Sequence, residues 1–267
     1  MMTPFGTTVA RALSGTTAAL LLGLTACARP VLPRDHSTTT ALLPGGDLLV
    51  RSMRGDSSAF ARRRVFVLFQ RALGPDTAER KLAETNEEDR FAASNSADLT
   101  LTSRWSPPYE SSDSLIVDGN TLRPLDEVIE SRRARYRFHY DGPRVTGVVA
   151  VADSAPQRLD RKFDQPVFAF NEVEILVRSL RYRVGLRVVV PLFSEGDRAI
   201  EHDTLSVVSQ STQPDHAPVW TIEFADPVIT TRYRVDARSR EIIDAVTRQR
   251  KSGLTFRLAR ADTASGQ

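Results

Sequence analysis

The sequence predicts a mainly β protein with one large, curved, antiparallel meander sheet of about ten strands, forming an open or half barrel around one amphipathic helix. Three observations predict this class. Segments in which apolar and polar residues alternate recur from residue 98 to residue 258, as is typical of strands with one buried face. Turn residues separate neighbouring segments closely enough for hairpins. A single stretch, 171–180, has the apolar spacing of a helix instead.

The alternating segments define most of the predicted strands. Asp98–Trp105 and Asp113–Asp118 alternate without interruption, and Val65–Phe69 is an unbroken apolar run, as expected of a strand covered on both faces. Residues 76–90 are charged and poor in β-branched side chains, so a long loop and a ragged hairpin are both compatible with them. The remaining strands are predicted at 135–140, 145–151, 186–190, 204–209, 219–224, 232–235, 241–247 and 254–258.

One predicted hairpin carries an aromatic face. Tyr136, Phe138 and Tyr140 alternate with basic residues, and Asp141–Gly142 supplies the turn before a return strand at 145–151. An aromatic row of this kind is either a binding platform or the core face of a sheet. The core face is the more frequent of the two.

The stretch 171–180 predicts the one well-formed helix. Asn171 is the expected N-cap, and Arg178 and Arg181 lie at the C-terminal end, where the helix dipole favours positive charge. A helix surrounded by strands is expected to cover the concave face of the curved sheet. Its apolar face consists of Val173, Leu176, Val177 and Leu180.

Residues 24–27, Leu-Thr-Ala-Cys, predict a bacterial lipid anchor. Arg11 precedes an apolar run at 18–24 that is much shorter than the roughly 20 residues of a membrane span, as in a secretory signal peptide. Cleavage before Cys27, the single cysteine of the chain, would leave it as an acylated N-terminal residue anchored in the membrane. The alternative is a plain signal peptide followed by a chance cysteine.

The anchor sets the expected domain organisation and location. Ala28, rather than an aspartate, follows the cysteine and favours the outer membrane, with the protein facing the periplasm. One cysteine allows no internal disulfide, so the core alone stabilises the fold. The expected segments are a lipoprotein signal peptide at 1–26, the lipidated cysteine and a flexible tether at 27–46, a single β-rich domain at 47–260 and a disordered tail at 261–267.

Motifs of enzymes and of nucleic-acid binding are missing from the sequence. The net charge of +3 is small and the arginines are spread out, which gives no case for nucleic acid. The four histidines lack paired zinc-binding spacing, and there is no nucleophile elbow or phosphate-cradling loop. We therefore predict no catalytic residue, metal or cofactor. Glu201–Asp203, an acidic pair around a histidine, is interpreted as a solvated loop between strands.

Three stretches together resemble a family of bacterial envelope proteins whose domain has no assigned function. They are 113–118 with 121–124, then 166–171 with 191–193, and 233–236 with 240–243. In that family the third stretch usually begins Tyr-Trp-Ile-Asp, whereas Arg234 replaces the tryptophan here. The resemblance covers roughly Leu99 to Arg260 and implies a curved antiparallel sheet with a helix in its hollow. This outline is similar to the periplasmic lipoprotein-localisation carriers, which bind acyl chains, and it implies no catalytic residue.

Two main hypotheses for function follow. The first is a carrier that binds an apolar or lipid ligand between the helix and inward-facing aromatic residues, with a closed core of the same residues as the alternative. The second is an envelope scaffold or assembly factor that binds a protein through a sheet edge or the tether. An enzyme of unknown class is the third. The candidate ligand-binding residues are Val173, Leu176, Val177, Leu180, Tyr136, Phe138, Trp220 and Phe224.

Overall fold

A computed structural model describes residues 40–41, 62–71, 78–91, 98–119, 121–212 and 217–261. Within these residues sixteen strands form one sheet, which confirms the mainly β class. The first nine strands are β1 (Thr40–Ala41), β2 (Arg62–Arg71), β3 (Glu79–Phe91), β4 (Asp98–Trp105), β5 (Ser111–Asp118), β6 (Pro124–Ser131), β7 (Ala134–Asp141), β8 (Arg144–Val151) and β9 (Gln157–Lys162). The others are β10 (Phe168–Ala169), β11 (Arg187–Ser194), β12 (Ala199–Ser211), β13 (Val219–Ala225), β14 (Ile229–Asp236), β15 (Ile242–Gln249) and β16 (Thr255–Arg260).

The sheet consists of two antiparallel meanders joined side by side. Strands β2–β9, the N-terminal half, pair in chain order, and so do β11–β16, the C-terminal half. The last strand, β16, pairs with β2 and joins the two halves. The prediction of about ten strands in a purely antiparallel sheet was wrong, because β1 and β10 also pair with β11 in parallel. Both are two-residue strands, which are too short to show a period in the sequence.

In the described part of the chain the sheet curls without closing into a barrel, as predicted. Pairing among the described strands ends at β1 on one side and at β9 on the other. The curl nevertheless brings the two halves face to face. The ring of Phe138 on β7 meets that of Phe193 on β11 edge-on, with 5.2 Å between centroids, and Tyr140 lies 6.1 Å from the same ring. The predicted aromatic row is therefore part of the interior.

The predicted helix is present but shorter. A 3-10 turn, Phe170–Glu172, leads into α1, Val173–Ser179, and the chain is extended again at Leu180. Asn171 does not cap the helix, because it lies within the 3-10 turn and its side chain donates a hydrogen bond to Glu127. The carboxylate of Glu172 accepts from the backbone N–H of Ala169 at 3.1 Å instead.

Two segments that sequence reasoning assigned poorly are long strands. The charged stretch 76–90 lies largely in β3, and Glu201–Asp203 is within β12 rather than in a solvated loop. In both strands the inward positions include carboxylates, among them the buried Asp89 and Asp203. Inward-facing charges hide the apolar–polar alternation from which a strand is recognised.

Candidate functional site

The concave surface of the sheet has an apolar half and a polar half. Most inward side chains of β11–β14 are apolar and fully buried, as with Val188, Leu205 and Phe224, and the buried polar exceptions are Asp203 and Thr231. Those of β2–β6 include many that are buried but charged or polar. The buried polar members are Arg64, Thr85, Glu87, Asp89, Ser111, Asp113 and Glu127. Helix α1 lies between the two halves and contacts both.

A row of polar side chains crosses four neighbouring strands in register. Arg64 on β2 is opposite Glu87 on β3, Glu87 is opposite Ser103 on β4, and Ser103 is opposite Asp113 on β5. Directly opposed residues on one face of a sheet have Cβ atoms about 5 Å apart, so the four side chains form one continuous surface. Within it the hydroxyl of Ser103 donates to Oδ2 of Asp113 at 3.0 Å.

A buried ion-pair cluster ties the C-terminal end of α1 to this polar half. Oδ2 of Asp89 accepts from Nη1 of Arg178 at 2.6 Å and also from Nη2 of Arg64. The side chains of Arg178 and Asp89 are only 2% and 7% exposed. Nε of Arg178 also donates to the backbone carbonyl of Arg240, at 3.2 Å. Burial lowers the pKa of Arg178, and the nearby charge of Arg64 lowers it further. The negative charge of Asp89 opposes both effects and stabilises the two buried guanidinium groups.

The N-terminal end of α1 is fixed by a second buried carboxyl group. Glu127 on β6 is fully buried and accepts from the Tyr140 hydroxyl at 2.6 Å and from Nδ2 of Asn171 at 2.8 Å. Burial, and secondarily the charge of Glu195, raises the pKa of Glu127 to about 8. Burial also raises the pKa of Glu172 well above its usual range. The polar half thus holds α1 at both ends.

The raised pKa of Glu127 gives stability a pH dependence. Between about pH 4.5 and pH 8 the unfolded chain ionises this group while the folded protein keeps it protonated, so wild-type stability falls as the pH rises. Glu127→Gln removes this loss. Its free energy of unfolding relative to wild type should rise by about 3 kcal/mol from pH 5 to pH 7, measured by urea unfolding. Glu130→Gln, on the same strand but partly exposed, should keep the wild-type profile.

A small cavity lies between the polar row and α1. Its volume is about 40 Å³, and it is lined by side chains of the row, the ion-pair cluster and the helix. Glu87 faces it with 8% exposure. Burial raises the pKa of Glu87 well above its usual range, and the Glu174 carboxylate on α1 raises it further. The cavity is polar and has room for about three water-sized groups.

The predicted ligand-binding residues come together around α1. Tyr136 and Phe138 on β7, and Trp220 and Phe224 on β13, belong to opposite halves of the sheet but to one apolar cluster. Tyr136 and Trp220 are partly buried at its margin. The remaining six, all at most 1% exposed, are Val173, Leu176, Val177, Leu180, Phe138 and Phe224. The side chains of α1 pack against the apolar inner surface of the sheet. Cys27, the predicted lipidation site, lies outside the described residues.

Sequence reasoning missed the charged residues of the polar half. Glu87 and Asp89 stand in the run Glu87-Glu88-Asp89, which is normally a solvated face. Two features of the sequence could have indicated that these residues face inward. Arg64 directly precedes an apolar run, and Thr85, Glu87 and Asp89 share one strand face. Pairing that face with β2 places it inside the molecule.

Comparisons with known proteins found no match. The chain matches no family model, no curated protein and no solved structure. Among the described residues, no group of three or more histidine, cysteine, aspartate or glutamate side chains is arranged to hold a metal ion. The helices of this part of the chain lack the length and continuous apolar character of a membrane-spanning helix. The resemblance to the envelope family stays a prediction.

Proposed function

We propose that the protein is a membrane-anchored, non-enzymatic bacterial envelope lipoprotein that binds or carries an apolar or lipid ligand in its curved sheet. The observation that carries this proposal is the arrangement of α1. Its apolar face fills the hollow, while polar contacts at its two ends, Asn171 to Glu127 and Arg178 to Asp89, attach it to the opposite half. The helix therefore occupies the position in which an acyl chain would lie.

The ligand would bind as α1 moves away from the sheet. Withdrawing Val173, Leu176, Val177 and Leu180 from the core loses roughly 2 kcal/mol for each side chain, about 8 kcal/mol in total. An acyl chain recovers about 0.8 kcal/mol for each buried CH₂ group. A chain of about ten methylene groups offsets this loss of apolar burial, and chains of that length are within the range of membrane lipids. The ligand would then lie between α1 and the inward-facing aromatic residues.

The lipid anchor supports the same function. Acylation of Cys27 would hold the domain close to a membrane from which such ligands come or to which they go. The expected location is the outer membrane, with the domain in the periplasm. No catalytic residue is needed for binding and release.

The substitution Leu176→Ala distinguishes the carrier hypothesis from the alternative of a permanently closed core. The substitution weakens the packing of α1 and should lower the free energy of unfolding by 2–5 kcal/mol. In a carrier it also makes α1 easier to displace, so the affinity for dodecanoate should rise about tenfold. Leu99→Ala, which truncates an equally buried leucine on β4, should lose stability without that gain. Equal affinities in the two variants would contradict the displacement of α1.

Native mass spectrometry of the protein purified from its membranes tests the proposal itself. A reproducible added mass that extracts into organic solvent is expected. A clean protein mass, with no uptake when lipid is offered, would contradict it.

The second candidate is an envelope scaffold, which one observation favours. Among the described strands β9 pairs only with β8, so its other edge is open for an added strand. Its side chains Arg158, Arg161 and Lys162 are exposed. An acidic protein segment fits this edge, and crosslinking in the envelope should then capture one stable partner that Arg161→Glu abolishes.

A further inference from the structure

The loop that follows α1 presents three arginines around an apolar apex. We call residues 181–187, Arg-Tyr-Arg-Val-Gly-Leu-Arg, the basic loop. Its three arginines, Arg181, Arg183 and Arg187, are exposed, and none of them makes an ion pair with another described residue. By contrast, arginines on the outer faces of β7 and β14 pair with carboxylates of neighbouring strands. The positive charge of the basic loop is therefore available to an anionic partner.

The conformation of the loop holds Val184 out into solvent. The backbone N–H of Leu186 donates to the carbonyl of Arg183 at 2.9 Å and closes a tight turn, in which Gly185 has a φ of +85°, as the third position of such a turn requires. Leu186 is buried, and Tyr182 packs against an aromatic ring of β13. Val184 between them is 57% exposed, the highest value for a large apolar side chain among the described residues. The apex is thus an apolar tip on a loop that is fixed at both sides.

Among the described residues, the structures beside the basic loop supply little negative charge. Residues 204–211 of β12, which adjoins the loop, include no charged side chain, and Val208 among them is 44% exposed. The guanidinium of Arg240, on the turn between β14 and β15, lies over the ring of Tyr182 at 4.0 Å and adds positive charge. The carboxylate of that turn, Asp236, accepts hydrogen bonds from the backbone of its own turn. The result is a positive surface with an apolar centre.

The direction of β1 relates this surface to the predicted anchor. Thr40 on β1 pairs in parallel with Val188 on β11, so the chain enters β1 at the end of β11 at which the basic loop lies. Thr40 follows Cys27 by 13 residues. At roughly 3.4 Å per residue, an acylated Cys27 would keep this end of the sheet within about 45 Å of the membrane. This step rests on the proposed function, whereas the charge and shape of the loop do not.

We propose that the basic loop docks on the surface of an anionic phospholipid bilayer. Its guanidinium groups contact lipid phosphates, for which their planar donors are suited, and Val184 enters the boundary between head groups and acyl chains. A bilayer offers both complements together, a layer of phosphates above an apolar region, whereas a small anion would leave Val184 in water. Because α1 ends at Ser179, directly before the loop, docking also places the helix and its hollow next to the lipid.

A fluorophore at the apex tests the contact in the full-length chain. Cys27→Ala removes the single cysteine and with it any acylation, and Val184→Cys then provides one thiol for an environment-sensitive dye. Vesicles of phosphatidylcholine with about one-third phosphatidylglycerol should raise the dye emission at least threefold, and lipids brominated on their acyl chains should quench it. Phosphatidylcholine alone should cause no change. Val148→Cys, at an exposed valine on β8, is the matched control and should respond to neither vesicle.

Two triple variants test the charge. The first combines Arg181→Ser, Arg183→Ser and Arg187→Ser and should bind the anionic vesicles at least thirtyfold more weakly, since one arginine at such a surface contributes about fivefold. The control loses the same charge from exposed positions on β4, β7 and β15 and should bind as the wild type does. It combines Arg104→Ser, Arg137→Ser and Arg248→Ser. Circular dichroism and thermal unfolding confirm that both variants are folded.

Unchanged emission from the dye at position 184 with anionic vesicles, or equal binding by the two triple variants, would overturn the proposal. A response to poly-glutamate but not to vesicles would also overturn it and assign the surface to an acidic protein. Dodecanoate uptake by the same chain tests the proposed function separately. Vesicle docking without uptake supports the loop surface and overturns the carrier, whereas uptake without docking overturns the loop surface and leaves the carrier standing.

Discussion

Asp89→Asn should lower the free energy of unfolding by about 3–5 kcal/mol, because it leaves two buried guanidinium groups without their shared counter-charge. Both Arg64 and Arg178 donate to Oδ2 of Asp89, and all three side chains are at most 7% exposed. An asparagine of the same shape keeps the packing but not the charge. The effect is therefore electrostatic and should appear as a lower midpoint in urea unfolding.

The control for this prediction is a substitution at the residue that precedes Asp89. Glu88 occupies the exposed face of β3, so Glu88→Gln should change stability by less than about 0.5 kcal/mol. If Asp89→Asn is equally mild, water reaches the two arginines and the cluster is not buried in solution. Because Arg178 belongs to α1, the same substitution should also speed the opening of the helix.

Asp203→Asn should stabilise the protein at neutral and alkaline pH. Asp203 on β12 is 1% exposed, and neither of its carboxylate oxygens has a hydrogen-bond partner. Burial, and after it the neighbouring Asp226, raises the pKa of Asp203 to about 9. From about pH 4 to pH 9 the unfolded chain ionises this group and the folded protein does not, so wild-type stability falls as the pH rises. Asparagine carries no such penalty.

The expected difference is large. Relative to wild type, the free energy of unfolding of Asp203→Asn should increase by about 5 kcal/mol between pH 4 and pH 8. Urea titrations at several pH values measure it. Asp197→Asn, an exposed substitution in the β11–β12 turn, should follow the wild-type profile. If the stability of Asp203→Asn changed with pH in the same way as that of the wild type, Asp203 would be ionised in the folded protein, which contradicts the prediction.

The apolar interior could be predicted from the sequence, because apolar spacing reports directly on buried faces. The helix face containing Leu176 and the strand face containing Phe138 and Tyr140 were recognised in this way, and both are buried. The joining of β16 to β2 could not be predicted, since nothing local specifies which distant edges pair. The order of the strands in the sheet could therefore be determined only from the structure.

The polar half of the hollow was missed for a different reason. A strand that faces the interior with Thr85, Glu87 and Asp89 has the same sequence signature as a strand that faces water. Only the three-dimensional placement of Arg64 and Arg178 around Asp89 reveals that charges are paired inside the molecule. A buried charge network is defined by contacts between residues that are distant in the sequence, so the spacing of apolar and polar residues along one strand does not reveal it.

Hydrogen exchange of the full-length chain with and without dodecanoate tests most directly whether α1 occupies a ligand's place. With dodecanoate bound, the amides of Val173–Ser179 should exchange at least tenfold faster, because the helix has left the hollow. Those of β13, Val219–Ala225, should exchange more slowly under the acyl chain. Unchanged protection of α1 at saturating dodecanoate would contradict the displacement of the helix and leave the hollow as a permanently packed core.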